Sequence, residues 1–294
     1  MASMNFVVND SARSLRAGKS KTLGVIALDL SNPFWGEVTR GIEAIATARG
    51  YSILIGSSEE RVDKELMLLR LFEENRVDGI LVSSLNTSSQ ALTALRDRGV
   101  KVVFLDGTDP SGAHSSVSFD QVAGAHLVGA HLVERGHKRI AFLNVPHTVS
   151  WSRNRLKGLR EGIQVAGADP DEVITEIMIE SMTALAAEPA VAQLQALYPD
   201  VTAVFCANDL VALGVLKQLS ERGKVVPRDL SVVGFDDSYF SSLLSPALTS
   251  VRQEPFLLGQ KAAQVIIDQD LNSVPEPIVF QPKLIVRESV RRIR

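Results

Sequence analysis

Five short apolar runs in this chain of 294 residues stop at small polar or acidic side chains. LGVIALD ends at Asp29, ILIGSSEE carries Ser57 and Ser58, and VKVVFLD ends at Asp106. AVFCAND ends at Asn208 and Asp209, and LSVVGFDD at Asp236 and Asp237. A carboxylate can accept hydrogen bonds from two adjacent hydroxyls, and an amide offers both a donor and an acceptor. Asp236 and Asn208 therefore suit a polyhydroxylated molecule. Arg155 adds a cation in the first turns of a helical pattern, where the helix dipole favours anions. A local rule broken in this way points to a partner, either a hydroxyl-rich or anionic ligand or a carboxylate such as Asp236. Arg153 faces elsewhere on the same helix and reads as solvated.

Around these stand Asn32, Phe34, Trp35 and Trp151. Asn32-Pro33 favours a turn, and Ser31 or Asn32 can cap the helix starting near Phe34, so capping and ligand contact both stay open. Phe34 and Trp35 offer rings on which a sugar can stack, with one of the two expected in the core. Trp151 can close the pocket on the Arg155 side. Asp106 precedes Gly107, a frequent turn pair, and is either a turn residue or a contact. Asp209 is expected to cap the helix that follows it, leaving Asn208 for a ligand, and Asp237 to cap a helix before Leu243.

No catalytic set accompanies these groups. GxSxG, GxxxxGK[ST], HExxH and GxGxxG are all absent. His114, His126, His131, His137 and His147 form no metal pattern, since His126 and His131 do not share a helix face. The one cysteine, Cys206, lies in an apolar run, which excludes a disulfide framework and a cysteine zinc site. The expectation is no enzyme, no metal and no cofactor. An α/β enzyme acting on sugars is the rival that lacks a nucleophile–base pair.

Open parallel sheets bind ligands along the edge formed by the carboxyl ends of their strands, and the pattern of the chain supplies such sheets. Strands are expected over 22–29, 52–56, 79–83, 100–106, 115–119, 139–145, 173–179, 203–207, 230–236, 249–253 and 278–286. Helical periodicity covers 34–49, a stretch before Asn75, 88–98, 121–135, 153–166, 183–197, 209–222 and 256–269. Strands alternating with helices mean βαβ units, and continuous runs such as LGVIAL and VVFL fit strands buried on both faces. The fold class is α/β, with two doubly wound parallel sheets. The first subdomain is expected over 21–118 plus 253–279, the second over 119–252 plus 280–294, and a leader with a connector over 1–20.

Net charge is −3, with 45% hydrophobic and 22% charged residues, so the body is no electrostatic match for nucleic acid. Neither a secretory leader nor a stretch of about 18 apolar residues occurs, so a cytoplasmic protein without a membrane segment is expected. Residues 1–3 resemble an expression leader. The terminal RESVRRIR reads as a solvated basic tail without leucine heptads, which favours a homodimer over a tetramer.

Eight motifs occur in a fixed order: RSLRAGKSKTLGV, DLSNPFW, RVDGILV, FDQVAGAHLVGAHLVERGHKRIAFL, RNRLKGL, CANDLVALGVL, PRDLSVVGFDDS and LTSVRQEPFLLGQKAAQVI. Together they closely resemble the lactose-repressor/galactose-repressor (LacI/GalR) family of bacterial transcription regulators, from about Asn9 to the end. The resemblance implies a periplasmic-binding-protein-like core of type I, with several crossings between lobes and an effector in the interlobe cleft. It implies effector contacts at Arg155 and, in some members, Asp106, and roles for Phe119 and Gln253. It also implies a dimer and an N-terminal helix-turn-helix domain joined by a hinge helix. This chain is expected to lack that DNA-binding head and to retain only a hinge-like segment, with operator DNA bound through Asn9, Arg13 and Leu15 in the intact parent. There the leucine wedges into the minor groove. A disordered basic linker is the other reading of that segment. A periplasmic sugar-binding protein for transport shares the fold and is the main rival. The effector expected is a monosaccharide or related polyol, since a nucleobase asks for more aromatic stacking than Phe34, Trp35 and Phe119 clearly supply.

Overall fold

The computed structural model describes residues 20–83, 89–109, 111–271 and 273–293. The hinge residues Asn9, Arg13 and Leu15 lie outside the described residues. The chain divides into two compact units. The first gathers the residues through Ser31 with Trp35–Ser118 and Pro255–Ile278, and the second gathers Asn32–Phe34, Phe119–Glu254 and Val279 onward.

The first unit alternates β1 (Thr22–Ala27), α1 (Pro33–Ala48), β2 (Ser52–Ser57), α2 (Val62–Glu74), β3 (Gly79–Val82), α3 (Ser89–Asp97), β4 (Lys101–Leu105) and β5 (Ser115–Phe119). The second continues with α4 (Gln121–Glu134), β6 (Ile140–Asn144), α5 (Ser150–Val165), α6 (Pro170–Val173), β7 (Ile174–Met178), α7 (Ala187–Leu197), β8 (Ala203–Cys206), α8 (Asp209–Glu221), β9 (Ser231–Asp236) and β10 (Thr249–Arg252). The chain then adds α9 (Pro255–Asp268), β11 (Pro277–Phe280) and β12 (Lys283–Ile285).

Strand order is β11-β5-β4-β3-β1-β2 in the first sheet and β12-β10-β9-β8-β6-β7 in the second. The ladders from β1 through β5 and from β6 through β10 are parallel, while β12 runs antiparallel to β10. In each sheet the first strand is flanked by the next two, so the order reverses between β1 and β3, and again between β6 and β8. Ligands settle beyond the carboxyl ends of the strands at such reversals.

Central strands are apolar and buried throughout, as in β3, β6 and β9, because helices cover both faces. Phe72, Ile80, Leu92 and Phe104 anchor the first core. In the second, Phe142 stacks on Phe205 at 4.7 Å, and Phe205 meets Phe235 at 6.3 Å. Helices α4 and α5 lie so close that a Cβ built on Gly158 would sit 2.0 Å from the Val122 carbonyl oxygen.

Three sequence expectations change. The strand expected over 278–286 is two strands, β11 and β12, separated by Gln281 and Pro282 and placed in different sheets. Proline has no N–H to offer a ladder and ends the pairing there. Helix α5 starts at Ser150, three residues before its expected start at Arg153, which brings Trp151 onto it. The helix expected from Thr183 begins at Ala187, after a 3-10 turn over Ala184–Ala186. None of the described helices is long and apolar enough to cross a membrane.

His137, between α4 and β6, is buried with Nδ1 against Thr202 Oγ1 at 2.9 Å and Nε2 against the Arg291 carbonyl at 3.2 Å. Burial, with Arg291, His131 and Arg135 nearby, pushes its imidazole from 6.5 down to about 4. The unfolded chain therefore takes up this proton first, and His137 subtracts stability as pH falls from 6.5 to about 4. His137→Gln should gain on the unaltered protein in that window, with melting temperatures drawing apart in its favour from pH 7 to pH 4.5. A difference that stays constant with pH refutes the assignment.

Candidate functional site

The carboxyl edge of the second sheet collects most of the residues singled out in the sequence. Helix α5 carries Trp151 and Arg155 one turn apart on the same face. Arg155 is 4% exposed, and its guanidinium lies 3.7 Å from the Phe235 ring centre and 4.8 Å from that of Trp151. Its Nε donates to Gln121 Oε1 at 2.8 Å, and its Nη1 donates to the Ala207 carbonyl. Each desolvated cation–ring contact contributes on the order of 1–2 kcal/mol. The arginine is thus held rigid, and because α5 begins at Ser150 it lies beyond the first turn, so the expected conflict with the helix dipole is not what fixes it.

Strand β8 runs into Asn208, whose Oδ1 accepts from the Val211 amide at 2.9 Å and whose Nδ2 donates to the Met182 carbonyl at 3.1 Å. Asn208, not Asp209, is the cap of α8. A cap stabilises a helix by about 1 kcal/mol. One amide hydrogen and one lone pair of Asn208 remain beyond these two bonds. Asp209 is instead a fully buried hub: Oδ2 accepts from the Ser238 amide at 2.7 Å and Ser241 Oγ at 2.6 Å, and Oδ1 from Ser250 Oγ at 2.6 Å. Burial lifts its carboxyl to about 6 despite these donors, and Asp237 adds to the rise. The same burial, with Asp209 beside it, raises the Cys206 thiol.

Strand β9 ends at Asp236, and this residue and the next, Asp237, both have positive φ, 108° and 51°. Such conformations cost about 1–3 kcal/mol each and persist only where the surroundings enforce them. Asp237 caps no helix, since residues 239–246 form turns and bends. Its carboxylate is clasped by Arg252 Nε and Arg287 Nη1, each at 2.6 Å. Asp236 is 8% exposed, and Asn32 Nδ2 donates to its Oδ2 at 3.4 Å. Asn32 also uses its Oδ1 for the Phe34 amide at 3.0 Å, so it serves the turn as well.

Gln253 follows Arg252, the register partner of Asp236 on β10. It is 2% exposed, and neither its Oε1 nor its Nε2 has a hydrogen-bond partner among the described residues. Buried amides are almost always paired, so an orphan of this kind asks for an explanation. Phe119 is buried, with its ring 5.8 Å from Phe280. Phe34 and Trp35 are both buried, where one core ring was expected.

The first unit carries Trp35 and Asp106. Asp106 has φ 50° and closes β4 with its amide on the Val117 carbonyl at 2.9 Å, a left-handed position that aspartate tolerates. Asp29 binds the Ser31 amide and hydroxyl at 2.8 and 2.7 Å and shapes the turn after β1. Among the described residues, no group of three or more His, Cys, Asp or Glu is placed to hold a metal ion.

Sequence reasoning missed Gln121, Phe235 and the serines around Asp209. Gln121 lies 34 positions from Arg155 and has no local signal tying it to that partner. Phe235 was legible only as strand core. Chemically, the edge offers a fixed cation, a carboxylate, an unpaired amide and aromatic faces, a set suited to orienting hydroxyl groups.

The family model described as "Periplasmic binding protein-like domain" matches residues 130–290. The "Ribose operon repressor" of Bacillus subtilis (strain 168) is 33% identical over 91% of this chain and 79% of its own length. The "HTH-type transcriptional repressor PurR" of Photobacterium profundum is 29% identical over 98% of this chain and 86% of its own. A solved LacI family transcriptional regulator from Enterococcus faecium, with bound ribose, superposes with a TM-score of 0.84 at 26% identity. It covers 93% of this chain and 100% of its own.

Proposed function

Since the chain belongs to the LacI family of transcriptional regulators and carries their periplasmic-binding-protein-like domain, we propose that it is the effector-sensing core of such a regulator and that its effector is a sugar. The observation that carries the reading is the unpaired, buried amide of Gln253, one residue past the register partner of Asp236. Sugar hydroxyls both donate and accept, and would satisfy Gln253 Oε1 and Nε2 together. Asp236 accepts from adjacent hydroxyls, Arg155 donates to a hydroxyl or ring oxygen, and Asn208 adds its remaining donor and acceptor. Trp151, Phe34 and Phe119 supply ring faces, and Asn32 a polar group. The ribose named with the Enterococcus structure and the ribose operon of the Bacillus relative favour a pentose or another monosaccharide.

The regulator works as a homodimer in the cytoplasm, and operator DNA is bound through a helix-turn-helix domain and hinge. A sugar that binds one arrangement of the core better than another shifts the population toward it. Coupling of about 1–3 kcal/mol between effector and operator is typical of such switches. The transport reading is not favoured, because the Bacillus and Photobacterium relatives are named as repressors.

A thermal-shift screen over sugars, sugar phosphates and purines, followed by calorimetric titration, tests the proposal. Ribose or a related monosaccharide at about 100 times its dissociation constant should stabilise the protein by about 2.7 kcal/mol. Stabilisation by a purine alone, with no response to any sugar, would sink the sugar reading.

A further inference from the structure

We infer that Asp209 is a positioning residue for the effector contact at Asp236: its carboxylate clamps the left-handed turn that ends β9 and so fixes the direction of the Asp236 side chain. The inference rests on the proposed effector role of Asp236. Two consecutive aspartates with φ of 108° and 51° do not hold that shape unaided. The amides that follow the first of them are both secured through Asp209. Ser238 N–H reaches Asp209 Oδ2 directly, at 2.7 Å. Asp237 N–H reaches Ser250 Oγ at 3.1 Å, and that hydroxyl in turn donates to Asp209 Oδ1 at 2.6 Å. Ser241 Oγ, at 2.6 Å from Oδ2, closes the far end of the same turn.

The seat for this carboxylate is built into β9. A Cβ on Gly234 would lie 2.1 Å from Asp209 Oδ1, so only glycine lets the carboxylate rest against the strand two residues before Asp236. An acidic residue whose task was merely to favour the start of α8 would do so from the surface. Burying it costs free energy unless its hydrogen bonds are needed, and here every one of them is spent on the turn or on Ser250 of β10. Asp237 is held separately by Arg252 and Arg287.

Three substitutions test this, Asp209→Ala, Asp209→Asn and Ser250→Ala, with ribose as the probe. Amide exchange at Asp237 and Ser238 should accelerate about tenfold or more in Asp209→Ala and Ser250→Ala, while the strands β6 and β8 keep their protection. Ribose affinity should fall about tenfold in both. Asp209→Asn keeps an oxygen for the Ser238 amide and should restore affinity to within about threefold of the unaltered protein. Unchanged exchange at the two amides overturns the inference, as does faster exchange with ribose affinity intact. If Asp209→Ala fails to fold, Ser250→Ala decides alone. If the unaltered protein binds no ribose, that result counts against the ribose reading, and the exchange measurement still decides the clamp.

Discussion

Arg155→Ala should weaken sugar binding at least a hundredfold, equivalent to about 3 kcal/mol, read by calorimetric titration. A charge-assisted hydrogen bond to a ligand contributes about 1.5–3 kcal/mol, and truncation removes more than that bond. It also removes the donor to Gln121 Oε1 and to the Ala207 carbonyl, and takes away the flat group packed on Phe235 and Trp151. Arg155→Lys should recover little, because a lysine cannot hold Gln121 and Ala207 with a planar fork while stacking on a ring. Arg153, exposed on the same helix and bonded to the His147 carbonyl, is the control: Arg153→Ala should bind within about twofold of the unaltered protein. Equal sugar affinity in Arg155→Ala would remove this residue from the site.

Gly158→Ala should destabilise the protein by about 3 kcal/mol, the upper range for overpacking. The added Cβ would meet the Val122 carbonyl oxygen at 2.0 Å and its carbon at 2.8 Å. Backbone atoms cannot turn aside as a side chain can, so α5 must move off α4. That movement also separates Arg155 on α5 from Gln121 on the first turn of α4, so sugar affinity should fall together with stability. A lower urea midpoint at unchanged slope is the expected signature. Gly36→Ala is the contrast, since its Cβ would meet nothing within 4 Å on an exposed helical face. There the better helix propensity of alanine should give a gain of up to about 1 kcal/mol. Equal midpoints for the two variants would show that α4 and α5 are not in the contact described.

The alternation of strands and helices was legible because a parallel sheet buried on both faces leaves continuous apolar runs, and each run here stops close to the end of its strand. That rule located Asp236, Asn208 and Asp106 at strand ends. The same rule was silent on which of two adjacent polar residues caps a helix. Asn208 and Asp209 send the same local signal, and the choice fell to whichever neighbour could serve the buried carboxylate: Ser238, Ser241 and Ser250 lie 29, 32 and 41 residues from Asp209. Asp237 read as a cap for the same reason, until Arg252 and Arg287 claimed it from 15 and 50 positions away.

The amino-acid order by itself determined the α/β class, the two sheets and the polar edge, because hydrophobic periodicity and turn chemistry act over a few residues. Tertiary structure alone decided which polar atoms are consumed by the fold and which stay open. Among the described residues Gln253 is buried without a hydrogen-bond partner, while Asn32, beside it in the candidate set, is bonded twice. That distinction depends on which donors and acceptors from distant segments arrive within about 3 Å of one another, and hydrogen bonding at that range is settled by packing.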